Sequence, residues 1–83
     1  MQLEILTPEN KLFDGEVYGV QLPGVDGLFE LLDKHAAIVS ALGNGEIKIL
    51  QQKDKDGEHY NISGGFVEMM NNKATVLVEK VLA

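Results

Sequence analysis

Apolar and polar residues alternate along several short stretches of the chain, which is the pattern of a β-strand with one buried face. In residues 2–5, Leu3 and Ile5 share one face and the polar pair shares the other. Residues 46–49 and 59–62 alternate in the same way. Each of these stretches therefore predicts a strand whose apolar side chains point into a core.

Further stretches complete the set of predicted strands. Residues 16–22 carry alternate apolar residues, and residues 66–70 place Val67 and Met69 on the face opposite to their neighbours. Residues 74–78 form a continuous run of apolar and β-branched residues. Such a run is typical of a strand that is covered on both faces.

Turn-forming residues separate the predicted strands, leaving runs of four to eight residues between them. This spacing is typical of an all-β sandwich or barrel. The predicted reversals are Pro8–Asn10, Asp14–Gly15, Pro23–Gly24, Asp26–Gly27, Gly43–Gly45, Asp54–Gly57, Gly64–Gly65 and Asn71–Asn72.

Residues 33–42 leave two interpretations open. Asp33 as an N-cap and Gly43 as a stop favour a helix, whereas the β-branched Ile38 and Val39 favour a strand. We expect a tight turn at residues 34–36 followed by a strand, with the helix as the alternative.

Composition bounds the class of protein. A chain of 83 residues indicates one domain over residues 1–83, and 45% apolar residues with only 6% aromatics predict a core of Val, Ile and Leu. The net charge of −6 and the absence of arginine argue against nucleic-acid or anionic-lipid binding. Without cysteine there is no disulfide or thiolate zinc site. No apolar run approaches the length of about 18 residues that suggests a membrane-spanning helix.

The candidates for catalysis are few. Neither Ser40 nor Ser63 lies in the spacing of a nucleophile elbow, and His59 falls on a predicted solvent face. His35 is flanked by charge and followed by apolar residues, which favours a structural or contact role. A hydrolase that uses Ser40 and His35 is the weakest hypothesis.

Two stretches superficially resemble ligand loops. Residues 54–58 are acidic around Gly57 but lack the register of an EF-hand, which favours a polar hairpin loop. Residues 63–65 lack the Lys and Ser/Thr of a phosphate-binding loop, so their paired glycines favour a bulge or a close passage of two backbones. We expect no metal, no cofactor and no catalytic activity, and interpret the chain as an interaction module.

Longer motifs indicate a family. The stretches "LEILTPENKLFDGEV", "VQLPGVDGLFELLDKHAAIVSALGNGEIKI" and "SGGFVEMMNNKATVLVE" resemble, in unbroken order, the N-terminal domain of the epsilon subunit of F-type ATP synthase. Where that family typically reads L-P-G-H-A-P, this chain has residues 32–37 with His35 and Ala36 kept and both prolines and the glycine replaced. The family's C-terminal helical hairpin, which binds ATP in some members, is not in this sequence, so no nucleotide binding is expected.

The resemblance implies a ten-stranded β-sandwich of two antiparallel sheets and a non-catalytic place in the central stalk of the rotor. It implies that the domain links the gamma subunit to the c-ring and supports the coupling of proton flow to ATP synthesis. The complex would lie peripherally on the cytoplasmic face of the bacterial plasma membrane, as part of F1, without inserting into the membrane.

The resemblance also suggests contact residues. By family position, Leu28, Phe29 and Glu30 face the c-ring, and His35, Ala36 and Ser40 face gamma. Phe29 is equally a candidate for the core, together with Leu31 and Ile38. The alternative function is a stand-alone β-sandwich that binds a peptide by strand addition or a small ligand in an apolar pocket.

Overall fold

The computed structural model describes residues 1–52 and 55–82, and the regular secondary structure within these ranges is entirely β-strand. The part of the chain so described therefore contains no helix that could cross a membrane. The strands are β1 (Gln2–Leu6), β2 (Lys11–Glu16), β3 (Gly19–Gly24), β4 (Gly27–Leu32), β5 (Ile38–Leu42), β6 (Gly45–Gln52), β7 (Lys55–Ile62), β8 (Gly65–Met70), β9 (Lys73–Val78) and β10 (Val81–Leu82).

Backbone pairing joins the ten described strands into one curled sheet, in the order β10-β7-β6-β3-β5-β8-β9-β1-β2, with β4 on β3. The junction between β3 and β5 is a single residue pair, Gly24 with Leu42. This junction divides the curled sheet into two halves, one containing β4, β3, β6, β7 and β10 and the other containing β5, β8, β9, β1 and β2. The predicted all-β class is confirmed.

The pairing differs from the expected pair of antiparallel sheets in two respects. The two halves are continuous through the Gly24–Leu42 pair, and β1 runs parallel to β9. In the strand order β1 lies between β9 and β2, and it pairs antiparallel with β2.

The core lies between the two halves of the sheet. Alternate positions of β1, β6 and β8 are buried, as predicted: Ile47 and Ile49 are fully buried, whereas Glu46 is exposed. Leu31 is buried, and Phe29 and Ile38 pack against the core from half-buried positions, so the core interpretation of these residues is confirmed. The fully buried large side chains are Leu3, Ile5, Val20, Leu22, Leu31, Ile47, Ile49, Ile62, Val67, Met69 and Val76.

Some predicted boundaries are wrong. Residues 16–22 are not one strand, because β2 ends at Glu16 and β3 begins at Gly19. Between them the backbone changes partner: the amide of Val17 donates to Met1 O at 2.8 Å, and that of Tyr18 donates to Leu50 O at 3.0 Å. The chain crosses here from one half of the sheet to the other.

Two predicted reversals fall inside strands. Asp14–Gly15 belongs to β2 and Pro23–Gly24 to β3, with the reversal after β3 at residues 25–26. Strand β2 lies at the end of the sheet, where polar residues and a glycine are tolerated. Of the predicted turn at 54–57, Asp54 lies outside the described residues, and residues 55–57 belong to β7.

The turn and strand predicted in residues 33–42 are confirmed, and the alternative helix is wrong. The turn occupies residues 33–34, with Lys34 in the left-handed region at φ 66°, and β5 follows at Ile38. Asn71 and Asn72 form the neighbouring turn in the same backbone region, at φ 52° and 60°. Asparagine tolerates that region better than most residues.

The turns gather at two ends of the sheet. One end, called the hairpin end here, holds residues 25–26, 43–44, 63–64 and 79–80, joined by backbone bonds such as Gly43 N to Pro23 O at 2.8 Å and Glu79 N to Gly64 O at 3.0 Å. The other, called the amino end, holds residues 1, 17–18, 33–37 and 71–72, joined by bonds such as Asp33 N to Tyr18 O at 3.0 Å and Gln2 N to Asn72 O at 3.1 Å.

Candidate interaction surfaces

The first predicted contact group lies at the hairpin end but is divided between two faces of β4. Leu28 is 68% exposed, and Glu30 is also exposed. Phe29 points inward, where its ring fills the space beside Gly24; a Cβ on that glycine would lie 2.8 Å from the Phe29 ring. Val25, 62% exposed in the adjoining turn, adds a second apolar side chain. We call the surface formed by residues 25–28 the tip.

The second predicted group is also divided. His35 and Ala36 are exposed in the loop at the amino end, where the amide of His35 donates to Leu32 O at 3.0 Å. Ser40 is half-buried in β5 and stands opposite the buried Val67, so its side chain lies on the inner face of the sheet. The structure thus brings His35 and Ala36 together and separates Ser40 from them.

The exposed members of the two groups lie toward opposite ends of the domain. Leu28 is near the start of β4, and His35 follows its end. A six-residue strand rises about 17 Å from its first residue to its last. This is a large part of the 27 × 23 × 22 Å dimensions of the domain. A partner at one tip and a partner at the other loop would not compete for the same surface.

A third surface escaped the sequence analysis. Phe66 on β8 is 58% exposed and stands directly opposite Leu77 on β9, which is 52% exposed. Ala41 on β5 and Leu6 on β1 extend the same row across four strands. Val39, 71% exposed, lies beside this row on β5. We call these residues the outer stripe: Leu6, Val39, Ala41, Phe66 and Leu77.

The sequence does carry a signal for the outer stripe, in the apolar run of residues 74–78. Residues 74–78 predicted a strand covered on both faces. The strand itself is confirmed as β9, but its coverage on both faces is wrong: Ala74, Val76 and Val78 are buried on one face, whereas Leu77 on the other is exposed. In the described part of the chain no element covers Leu77. The outward face of β9 therefore carries a large apolar side chain that this fold leaves exposed.

Polar and charged residues border the outer stripe. Glu68 and Thr75 face outward next to it, in register with Val39 and Glu4. The carboxylate of Glu4 lies 2.9 Å from the ammonium of Lys11 and 3.7 Å from that of Lys73. The hydrogen bond from Lys11 lowers the pKa of Glu4 and so stabilises its charged form. An apolar centre with a polar rim is the anatomy of a protein interface.

The residues considered for catalysis or ligand binding do not form a catalytic or metal site within the part of the chain that the structure describes. His59 is exposed and lies 3.2 Å from Glu46, as a surface pair. Within residues 1–52 and 55–82 there is no group of three or more His, Cys, Asp or Glu side chains arranged to hold a metal. The predicted acidic loop at 54–58 begins outside the described residues.

The close passage of backbones predicted at residues 63–65 is confirmed. A Cβ on Gly65 would lie 2.0 Å from Leu77 O and 2.9 Å from the Cα of Val78. The glycine therefore lets β8 and β9 approach each other, a structural role rather than a phosphate-binding one.

Comparisons with known proteins agree on one family. Residues 1–83 match the family described as the ATP synthase, Delta/Epsilon chain, beta-sandwich domain. The chain is 42% identical over 80 residues to the ATP synthase epsilon chain of Chlorobium limicola, covering 96% of this chain and 90% of that one. It is 40% identical to the ATP synthase epsilon chain of Chlorobaculum tepidum, covering 95% of this chain and 89% of that one.

Two solved structures share the fold at lower identity. In the cryo-EM structure of the Tetrahymena thermophila mitochondrial ATP synthase central stalk and c-ring, one chain superposes with a TM-score of 0.80 at 18% identity, covering 98% of this chain and 64% of that one. A chain of the Euglena gracilis mitochondrial ATP synthase gives a TM-score of 0.85 at 20% identity, covering 96% of this chain and 51% of that one.

Proposed function

Because this chain belongs to the family of ATP synthase delta/epsilon β-sandwich domains, we propose that it is the non-catalytic epsilon chain of an F-type ATP synthase and acts in the central stalk of the rotor. The observation that carries the proposal is 42% identity over 90% of an epsilon chain's length. The alternative of a stand-alone binding module has no comparable support.

The finer description of the fold as a two-sheet sandwich belongs to this proposal. The halves on either side of the Gly24–Leu42 pair correspond to two five-stranded layers. Their inner faces supply one close-packed aliphatic core, and close-packed interiors deform little. Such a block suits a part that must transmit torque rather than bind nucleotide or carry protons.

The outer stripe is the proposed docking surface for the gamma subunit. Phe66, Leu77 and Val39 present exposed apolar area on one face, and exposed apolar clusters with polar rims mark protein interaction sites. Strand β5 begins shortly after His35 and Ala36, so the predicted gamma contact and the stripe adjoin each other through Val39. In this proposal Ser40 supports β5 from the inner face, and Val39 makes the contact.

The tip at the hairpin end is the proposed contact for the c-ring. Leu28 and Val25 supply apolar area, and Glu30 and Asp26 supply negative charge around it. Phe29 contributes from inside, since its ring beside Gly24 supports the hairpin that carries Leu28. Charges at the edge of an interface set orientation and association rate more than affinity.

The relatives are bacterial, which supports a location of the assembled complex on the cytoplasmic face of the plasma membrane. The domain would reach the membrane only through its partners in the complex.

Reconstitution tests the proposed function. The chain, mixed with the gamma subunit and detergent-solubilised c-ring from its own organism, is expected to co-elute with both as a ternary complex on size-exclusion chromatography. The interface with gamma is expected to bury more than about 1,000 Å², as stable interfaces do. A chain that binds neither partner under these conditions, at moderate salt, would overturn the proposal and return the stand-alone module to first place.

A further inference from the structure

The side chain of Glu68 stands on the same outward face as the outer stripe. Strand β8 alternates between buried and exposed residues, and Glu68 is exposed together with Phe66, two positions before it on the same face. The cross-strand neighbours of Glu68 are Val39 on β5 and Thr75 on β9. A carboxylate is thus set directly beside the exposed apolar side chains of Val39 and Phe66.

The negative charge of Glu68 is not balanced by the lysines of this face. The ammonium of Lys11 lies 2.9 Å from Glu4 and 3.3 Å from Asp14, and that of Lys73 lies 3.7 Å from Glu4. Within residues 1–52 and 55–82 the side chain of Glu68 makes no ion pair and no hydrogen bond. Two lysines therefore serve the carboxylates of β1 and β2, and the charge on β8 is left for a partner outside the domain.

An open pocket of about 240 Å³ adjoins Glu68. Its side chains are apolar except for those of Glu68 and Thr75, and the residues that line it are Val39, Phe66, Val67, Glu68, Thr75 and Leu77. Pockets that bind small molecules are commonly about 300–1,000 Å³. This pocket therefore has the size of one long side chain, with apolar walls and an acceptor at its border.

A partner that covers the outer stripe also covers Glu68, because Glu68 lies in register with Val39 and follows Phe66 on the same face. A carboxylate that loses its water without gaining a partner opposes binding. A cation at the matching position turns that cost into a charge-assisted hydrogen bond. A surface without such a cation is rejected, which is how one interface distinguishes between partners.

We propose that this pocket takes an arginine side chain of the gamma subunit, whose guanidinium pairs with Glu68 when the outer stripe is covered. The aliphatic stem of arginine packs on apolar side chains, and its planar head stacks on an aromatic ring such as that of Phe66. The same head donates two parallel hydrogen bonds to one carboxylate. The inference rests on the proposed docking of gamma at the outer stripe and adds the residue that fixes its orientation.

Binding kinetics of the chain on immobilised gamma subunit from its own organism test the proposal. Glu68→Gln keeps the shape of the side chain and removes its charge. Its dissociation from gamma is expected to be about tenfold faster, with an association rate within about threefold, because a charge pair enclosed in an interface acts mainly on dissociation. Glu46→Gln, the same substitution on an exposed residue of β6 in the other half of the sheet, is expected to leave both rates unchanged.

The outcomes separate this inference from the proposed function. If Glu68→Gln dissociates no faster than Glu46→Gln while the original chain binds gamma, the arginine pair is wrong and docking of gamma still stands. A change in the association rate alone would also overturn the pair, since it would reduce Glu68 to long-range attraction. A chain that does not bind gamma at all would overturn the proposed function and this inference together.

Double variants identify the arginine. The exposed arginines of gamma are replaced by alanine one at a time, and each variant is measured against the original chain and against Glu68→Gln. For the arginine that pairs with Glu68, the two losses are expected not to add, because each substitution removes the same contact. The combined variants should then bind about as weakly as either single one. Additive losses for every exposed arginine would overturn the proposal.

Discussion

The phenolic oxygen of Tyr60 lies 3.2 Å from the backbone carbonyl oxygen of Leu12, within hydrogen-bond distance. The bond links β7 in one half of the curled sheet to β2 in the other. The single hydroxyl hydrogen of Tyr60 is shared between Leu12 O and the carboxylate of Glu58 on its own strand, as a three-centre hydrogen bond. Since the two halves share only one backbone pair at the β3–β5 junction, this side-chain bond is an independent tie between them.

Removing the hydroxyl should weaken that tie. Tyr60→Phe is expected to lower the free energy of unfolding by about 1 kcal/mol, the usual net contribution of one hydrogen bond. Urea denaturation followed by circular dichroism measures the change. Tyr18→Phe is the matched control, because Tyr18 is half-buried like Tyr60. Equal effects of the two substitutions would contradict a specific role for the Tyr60 bond.

The same hydroxyl predicts a loss of stability in alkali. Burial, followed by the hydrogen bond to Glu58, raises the pKa of Tyr60 to about 12 from 10.0. The unfolded chain therefore loses this proton first, and stability falls as pH rises from about 10 toward the folded-state pKa. Urea midpoints compared near pH 9 and about pH 11 should show a decline. That decline should be smaller in Tyr60→Phe, and a decline of equal size would contradict the assignment.

The close approach of β8 and β9 predicts a sharp difference between two glycines. Gly65→Ala would place a Cβ 2.0 Å from Leu77 O at a φ of 153°, a conformation that favours glycine. We expect a loss of about 3 kcal/mol or more, because both the clash and the backbone strain fall on packed strands.

Gly43→Ala is the control for the glycine comparison. The nearest atom to a Cβ there is Val25 Cα, at 3.9 Å. We expect a change within about 0.5 kcal/mol in the free energy of unfolding. Soluble, equally stable Gly65→Ala protein would contradict the close-packing interpretation of residues 63–65.

The alternation of apolar and polar residues predicts the fold correctly where local pattern and burial agree. Alternation identified the buried positions of β1, β6 and β8, because a residue facing the core must be apolar whatever its neighbours are. It failed at residues 16–22, where the backbone exchanges one partner strand for another without any break in the apolar pattern. It could not reveal the parallel β1–β9 pair, because alternation carries no information about which strand lies alongside.

The candidate site was harder to predict for a related reason. Leu28, His35 and Ala36 lie exposed, in keeping with the contact role that the family resemblance suggested. Ser40 and Phe29 face inward, since neighbouring residues of a strand alternate between faces whatever role the family assigns to them.

The tip at the hairpin end yields a prediction for the c-ring. Leu28→Asp is expected to weaken binding to the c-ring about tenfold, since it replaces apolar contact area with a charge that must be desolvated. Its exposure of 68% predicts little change in stability. Gln51→Glu, which adds the same charge on an exposed residue of β6 remote from the tip, is the control. Equilibrium binding of labelled chain to the c-ring in detergent distinguishes the two, and equal affinities would remove the tip from the interface.

The outer stripe gives the most direct test of where gamma binds. Phe66 and Leu77 stand opposite each other on β8 and β9, both more than half exposed. Replacing both with threonine keeps residues that suit a strand but removes the large apolar groups. Because nearly half of each side chain is buried, the double variant is expected to lose about 2 kcal/mol of stability, which leaves the fold intact.

Binding to gamma should respond very differently from folding. The double variant is expected to bind gamma about a hundredfold more weakly, the scale of losing interface hot-spot residues, while urea denaturation shows an intact fold. Met70→Thr is the matched control, because Met70 is 50% exposed on the same face of β8 but lies at the other end of that strand, opposite Lys73. Its affinity for gamma should stay within about threefold of the original chain, since it lies outside the stripe. If the stripe variant binds gamma as tightly as Met70→Thr does, the apolar outward face of β8 and β9 serves some other purpose, and gamma must dock elsewhere.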